Sequence, residues 1–304
     1  MGAQMKPEVT IICATRNALS AVKLTLLSLK RHTSGSFKLL IADNDSDDGT
    51  LEFIKTLPFA REYSIEERIR TFSEVGENQF INIRRSEKDH GLVIKSPVRS
   101  KEDMGELEPS FVDFFMGHGQ TLDWLARQVD TPFFVTLDSD VEFYASEWLS
   151  NAISIMKENN IDVMGQLHPG NGICQPRLTP DILFIRKSKF IQLSASLASF
   201  TWGGEKEKAL MWAFQKHSPA FSENEVVGYT DIRIYDTAAF FFECVKKAGV
   251  RWMETPETVK KMYSHLGHMS WASNSANTSH EGESIQNNYQ TTMNYLSTRL
   301  KMYE

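Results

Sequence analysis

Residues 9–50 read VTIICATRNALSAVKLTLLSLKRHTSGSFKLLIADNDSDDGT, and their pattern decides the fold. VTIICA, from Val9 to Ala14, is an unbroken β-rich apolar run, too short for a buried helix of ordinary length. The following ALSAVKLTLLSLKRH puts Leu19, Val22, Leu26 and Leu29 on one helical face, and FKLLIA (37–42) is a second apolar run. A strand, a helix and a second buried strand at this spacing begin a parallel α/β sheet. Each strand ends in polar residues: Thr15, Arg16 and Asn17 after the first, Asp43, Asn44, Asp45 and Ser46 after the second. A short helix is expected in LEFIKTL, before Pro58.

The pattern loosens over residues 60–115, where charged stretches surround one strand candidate, FINIRR. Regularity returns with a helix at 119–128 and an apolar strand, FFVTL (133–137), that runs into DSDVEF. Beyond it we expect a helix in SEWLSNAISIMKENN with Ser146 as N-cap, and a strand in DVMGQ. A Gly/Pro loop at HPGNGICQPRLTPD follows, then a strand turning into a helix in ILFIRKSKFIQL. YDTAAFFFECVKKAG reads as a helix closed by Gly249, with Phe240, Phe241 and Phe242 in the core. Residues 281–303 read as an amphipathic helical tail without catalytic content.

The whole chain has 304 residues, 41% of them hydrophobic and 24% charged, as in folded globular domains and unlike disordered or membrane-bundle chains. Its formal net charge of −6 provides no basic excess for a nucleic-acid backbone, so stable nucleic-acid binding is not expected. Cys13, Cys174 and Cys244 are far apart and odd in number, which disfavours a disulfide scaffold or structural zinc. No run reaches the ~18 apolar residues of a membrane span. The expected location is cytoplasmic, which would leave the sequons at Asn44 and Asn277 unglycosylated.

The residues with most chemical content are Asp138 and Asp140, two apart beyond a buried strand, where open α/β sheets form their ligand crevice. Two adjacent carboxylates repel unless a cation neutralises them, so Mg²⁺ or Mn²⁺ with a diphosphate is a natural occupant. The alternative is a helix-capping Asp beside a solvated one. For the polar tips of the first two strands the alternative is ordinary turn chemistry.

Taken in order, VTIICATRN, LLIADNDSDDGT and GHGQTLDWLARQVDTPFFVTLDSDV resemble family 2 glycosyltransferases of the GT-A fold, with the D-x-D element at Asp138, Ser139 and Asp140. ILFIRKSKFIQL, YDTAAFFFECVKKAG and YSHLGHMSW extend the likeness more weakly. The resemblance implies a Rossmann-like, mostly parallel mixed sheet flanked by helices in one continuous domain. Residues 1–145 would bind the donor, and 146–304 the acceptor, a glycan or other hydroxyl compound. The implied reaction is inverting, metal-dependent sugar transfer from a nucleoside diphosphate, UDP or dTDP for preference. Thr15 and Asp43 would line the nucleobase site, with Asp45 among the donor-binding residues; Arg16 is a phosphate or sugar candidate, or a plain surface charge. Asp138 would approach the ribose or the metal, with Ser139 among the donor-binding residues, and Asp138, Asp140 and His265 would hold Mn²⁺ or Mg²⁺, His268 being the other candidate histidine. Asp236 holds the place of the general base, or is a first-turn helix acid; Asp231 and Glu205 are in reserve. Asp123 stands where many relatives have Asn, and its plain reading is an exposed helix carboxylate. Trp202, Gly203 and Gly204 offer a platform for a sugar ring, or core packing.

Two other readings fit parts of the chain. LDSDV also matches the haloacid dehalogenase phosphatases, with Asp138 as nucleophile. A nucleotide-sugar-binding protein without catalysis would keep Asp43, Asp138 and Asp140 and need no base. GxGxxG and GxxxxGK[ST] are both absent.

Overall fold

The computed structural model describes residues 7–43, 46, 48–57, 118–170, 175–197, 236–267, 291 and 293–303, with the backbone of strands at 82–85, 92–95, 200–202 and 233–235. In chain order the first elements are β1 (Val9–Thr15), α1 (Leu19–Arg31), β2 (Phe37–Asp43), α2 (Thr50–Lys55), β3 (Asn82–Arg85) and β4 (Leu92–Lys95). Next come α3 (His118–Gln128), β5 (Phe133–Leu137), β6 (Val141–Phe143), α4 (Trp148–Glu158), β7 (Val163–Gly165), β8 (Leu167–His168) and β9 (Arg177–Leu178). The rest are β10 (Ile182–Arg186), α5 (Lys187–Leu193), β11 (Phe200–Trp202), β12 (Arg233–Tyr235), α6 (Ala239–Lys247), β13 (Trp252–Glu254), α7 (Glu257–Lys260) and β14 (Tyr263–His265). Residues 293–300 are helical.

Six strands form the central sheet in the order β13-β7-β10-β5-β1-β2. All neighbours run parallel except β10, which opposes both β5 and β7. This is a mixed α/β fold with a mostly parallel sheet and flanking helices. The uninterrupted apolar runs follow from burial on both faces. Ile12 and Ala14 pack with Leu122 and Trp124 of α3 and with Phe240 to Phe242 of α6, whereas Ile11 and Cys13 pack on the opposite face with α1 and α4.

Several expectations need correction. Ser146 does not cap α4: the N-cap is Glu147, without a side-chain bond, and the Ser146 carbonyl instead accepts from the backbone N and the Oγ of Ser34. The loop at 168–181 is not wholly irregular, because Leu167–His168 pairs with Arg177–Leu178. β3 and β4 form a hairpin where a single strand was expected. Asp123 is buried rather than exposed; its carboxylate accepts from the Leu197 backbone N–H at 3.0 Å and from Arg127 at 3.0 Å. That carboxylate ties α3 to the segment after α5.

Candidate active site at the strand ends

Parallel pairing brings the three polar tips to one edge. The register sets Thr15 opposite Asp43 and Cys13 opposite Leu137, so the chain leaves β5 at Asp138 beside the end of β1. Much of the tip chemistry is turn-building, as the plainer reading allowed. Asp48 accepts from the Leu19 and Thr50 N–H groups at 2.9 and 3.0 Å, and Ser46 Oγ accepts from Asn17 N–H at 2.8 Å. Asn17, with φ 44°, takes the left-handed backbone that Asn tolerates better than most residues. Asp43 is engaged too: it accepts from Thr15 Oγ1 (3.0 Å), Ser46 N–H (2.8 Å) and Ser46 Oγ (2.6 Å). A carboxylate has about four acceptor positions, so about one remains for a ligand donor. Arg16 is half-buried and has no hydrogen-bond or ion-pair partner among the described residues. Asp45 lies outside the described residues, as do Glu205, Asp231, His268, Cys174, Gly203 and Gly204 and the side chain of Trp202.

Asp138, Asp140 and His265 converge, each offering a ligand atom within 4.8 Å of the others. His265 Nε2 lies 3.1 Å from Asp140 Oδ1 and 3.5 Å from Asp138 Oδ2. β6 pairs with β14, setting Val141 opposite His265, and Leu266 N–H donates to the Asp140 carbonyl at 2.9 Å. From the other side, Thr25 of α1 grips the same turn. Its Oγ1 donates to the Ser139 carbonyl at 2.9 Å and accepts from Val141 N–H at 3.0 Å. Ser28 Oγ accepts from Phe143 N–H at 3.2 Å. Ser139 itself is buried.

Burial disfavours the charged form of His265, but the hydrogen bond and charge of Asp140, with Asp138 and Asp181 beyond, outweigh it and lift its pKa to about 9. Burial likewise opposes ionisation of Asp138, yet His118, His265 and Arg177 hold it below the usual carboxylate range. Two carboxylates beside one imidazole nitrogen, which would give up its proton to the ion, make a donor set that Mn²⁺ accepts readily and Mg²⁺ through its oxygen atoms, so these residues fit such an ion.

The structure brings in three residues to which the sequence reading gave no role. His118, at the start of α3, places Nε2 3.0 Å from Asp138 Oδ1. Asp181 is buried and its carbonyl accepts from Asp138 N–H at 3.0 Å; burial, aided by the Asp138 charge, raises its carboxyl pKa. Arg177 contacts the Asp236 carboxylate while its charge reaches Asp138. Asp236 also accepts from Thr237 N–H at 2.7 Å, and it precedes α6 without capping it; the N-cap is Ala238, held at φ 66° with its N–H donating to the Leu197 carbonyl.

β6 carries a further polar centre. Glu142 is fully buried and accepts from Arg299 Nε (2.8 Å) and Nη2 (2.5 Å), Tyr295 OH (2.6 Å) and Tyr303 OH (2.9 Å). The C-terminal residues thus dock against the strand that leads out of Asp140, with Leu296 buried beside it.

No protein-family profile matches the sequence, and no curated protein matches it. Solved structures with some similarity include a mannosyltransferase from Pyrobaculum calidifontis in complex with GDP-Man and Mn²⁺, at 13% identity and a TM-score of 0.39 over 70% of this chain and 54% of that one. S. aureus TarS 1–349 in complex with UDP-GlcNAc is 14% identical, with a TM-score of 0.40 over 94% of this chain and 72% of TarS 1–349. Glucosyl-3-phosphoglycerate synthase from Mycobacterium tuberculosis, in complex with Mn²⁺, UDP and glucosyl-3-phosphoglycerate, is 11% identical, with a TM-score of 0.38 over 69% of this chain and 66% of the synthase. The chain spans about half the length of the first of these.

Proposed function

We propose that the chain is a metal-dependent, inverting glycosyltransferase of the GT-A, family 2 type. It would take a UDP- or dTDP-sugar and an acceptor hydroxyl, and act in the cytoplasm. The observation that carries this is the convergence of Asp138, Asp140 and His265 at the sheet edge where Thr15 and Asp43 meet. The ordered resemblance of the strand tips supports the same reading. Among the described residues no helix is long and apolar enough to cross a membrane.

In this proposal residues 1–145 bind the donor and 146–304 shape the acceptor side of one domain. Asp43, with about one acceptor position left, takes the N3–H of a pyrimidine; Thr15 fixes its orientation, Asp45 lies in the same donor-binding loop, and Arg16 serves the phosphate or sugar. Asp138 approaches the ribose, with Ser139 between it and Asp140. Asp138, Asp140 and His265 would hold Mn²⁺ or Mg²⁺, which when bound supplies positive charge against the diphosphate. The acceptor oxygen attacks the anomeric carbon as the bond from that carbon to the diphosphate oxygen breaks; the electron pair leaves with the nucleoside diphosphate. Asp236 takes the acceptor proton. Arg177 must share or release its contact with Asp236 for that step, and its charge is then at hand for the departing diphosphate.

The phosphatase alternative needs Asp138 free to attack, and nothing favours it: Asp138 is held between His118 and His265. The proposal is tested by thermal shift with UDP, dTDP and GDP, each with and without Mn²⁺, because a ligand that binds only the native state raises the melting temperature. Stabilisation by a pyrimidine diphosphate that requires Mn²⁺ supports it; no shift with any of the three defeats it. Loss of turnover with retained donor binding in Asp236→Asn supports the assigned base, and unchanged turnover removes it.

A further inference from the structure

We infer that His118 is a positioning residue for the cation site, holding one oxygen of Asp138 so that the other faces Asp140 and His265. The inference deepens the cation reading above and rests on it.

Two histidines reach the same carboxylate from different elements. His118, the first residue of α3, lies 3.0 Å from Asp138 Oδ1, and His265, the last of β14, lies 3.5 Å from Oδ2. Only the second belongs to the group of donors within 4.8 Å of one another. The terminal torsion of an aspartate is broad and roughly two-fold, so nothing within Asp138 selects which oxygen points to a cation. A ring nitrogen set 3.0 Å from Oδ1, as an ion-pair contact, makes that selection.

The platform beneath His118 is well packed. Leu122, Trp124 and Leu125 of α3 are fully buried in the core, and Asp123 pins the helix to Leu197. The His118 side chain itself remains about one-third exposed, at 34%, so its ring is not part of the packed core. Polar partners that orient metal-ligating side chains typically alter metal affinity 10- to 100-fold when removed.

The test uses the full chain, no sugar donor, and Mn²⁺ as probe, with free Mn²⁺ measured by electron paramagnetic resonance. His118→Ala should weaken Mn²⁺ binding about 10- to 100-fold. His118→Gln, whose amide N–H can occupy the place of Nε2, should stay within about threefold of the parent. Electron spin-echo modulation should show one coordinated imidazole nitrogen in the parent and in both variants. Should His118→Ala not fold, His118→Phe keeps the bulk and removes the nitrogen. Unchanged affinity in the Ala or Phe variant overturns the inference. So do two coordinated nitrogens in the parent falling to one in the variant, which make His118 a ligand. A parent chain that binds no Mn²⁺ overturns the cation reading itself, and the inference with it.

Discussion

Replacing Arg299 by Met isolates the buried centre at Glu142. Glu142 is fully buried, and Arg299 is its charged partner, giving two N–H bonds at 2.8 and 2.5 Å. Removing one member of a buried ion pair commonly costs 3–5 kcal/mol, because the remaining charge is left uncompensated. Here Tyr295 and Tyr303 still donate, at 2.6 and 2.9 Å, and Arg299 keeps 25% of its side-chain surface exposed. Both facts move the expectation below that range, to about 2–3 kcal/mol. With an unfolding entropy of roughly 2 cal/mol/K per residue, a chain of this size should lose about 3–5 °C in melting temperature. Urea titration followed by tryptophan fluorescence, with a thermal scan beside it, measures both quantities. The double variant Glu142→Gln/Arg299→Met removes the buried charge and should recover about half of the loss. A loss under about 0.5 kcal/mol in the single variant would refute the reasoning, since that is the scale of an ordinary surface change.

The same centre sets an acid limit. Burial pushes the Glu142 carboxyl up, but its bonds from Arg299, Tyr295 and Tyr303 outweigh this and hold it below the ordinary value of 4.5. Its contribution is therefore complete above about pH 4.5 and lost as pH falls through the lower folded-state value, so Glu142→Gln should show a flatter stability profile in acid. Thr25→Val should cost about 2–4 kcal/mol in urea titration, because the Ser139 carbonyl and Val141 N–H lose their shared partner. Asp140→Asn should lower Mn²⁺ affinity by more than the 10- to 100-fold typical of an outer hydrogen-bond partner, as read by titration calorimetry. Asp43→Asn should abolish stabilisation by pyrimidine diphosphates in a thermal scan while leaving Mn²⁺ binding intact.

The sheet was legible because β1, β2 and β5 are apolar on both faces, and a run such as FFVTL fits few other places. The reversal of β10 was not, since strand direction leaves no mark in an apolar run like ILFIR. Asp138, Asp140 and His265 were visible as chemistry-bearing residues at strand ends, and the structure brings them together. His118, Arg177, Asp181 and Thr25 were not, because what distinguishes them is contact across long stretches of chain. Thr25 reads as one polar residue in an amphipathic helix until its bonds to Ser139 and Val141 appear. Asp123 shows the converse: its helical spacing from Arg127 suits a surface pair, but the Leu197 N–H that buries it comes from 74 residues away.

In the proposed site, the three donors at the sheet edge bind one cation next to the nucleotide. Crystals grown with Mn²⁺ and UDP, and measured at the manganese absorption edge, address it most directly. One strong anomalous peak is expected within coordinating distance of Asp138, Asp140 and His265, with the diphosphate on its open side and the pyrimidine against Asp43. A manganese peak bound elsewhere, or a nucleotide seated away from these strand tips, would contradict it.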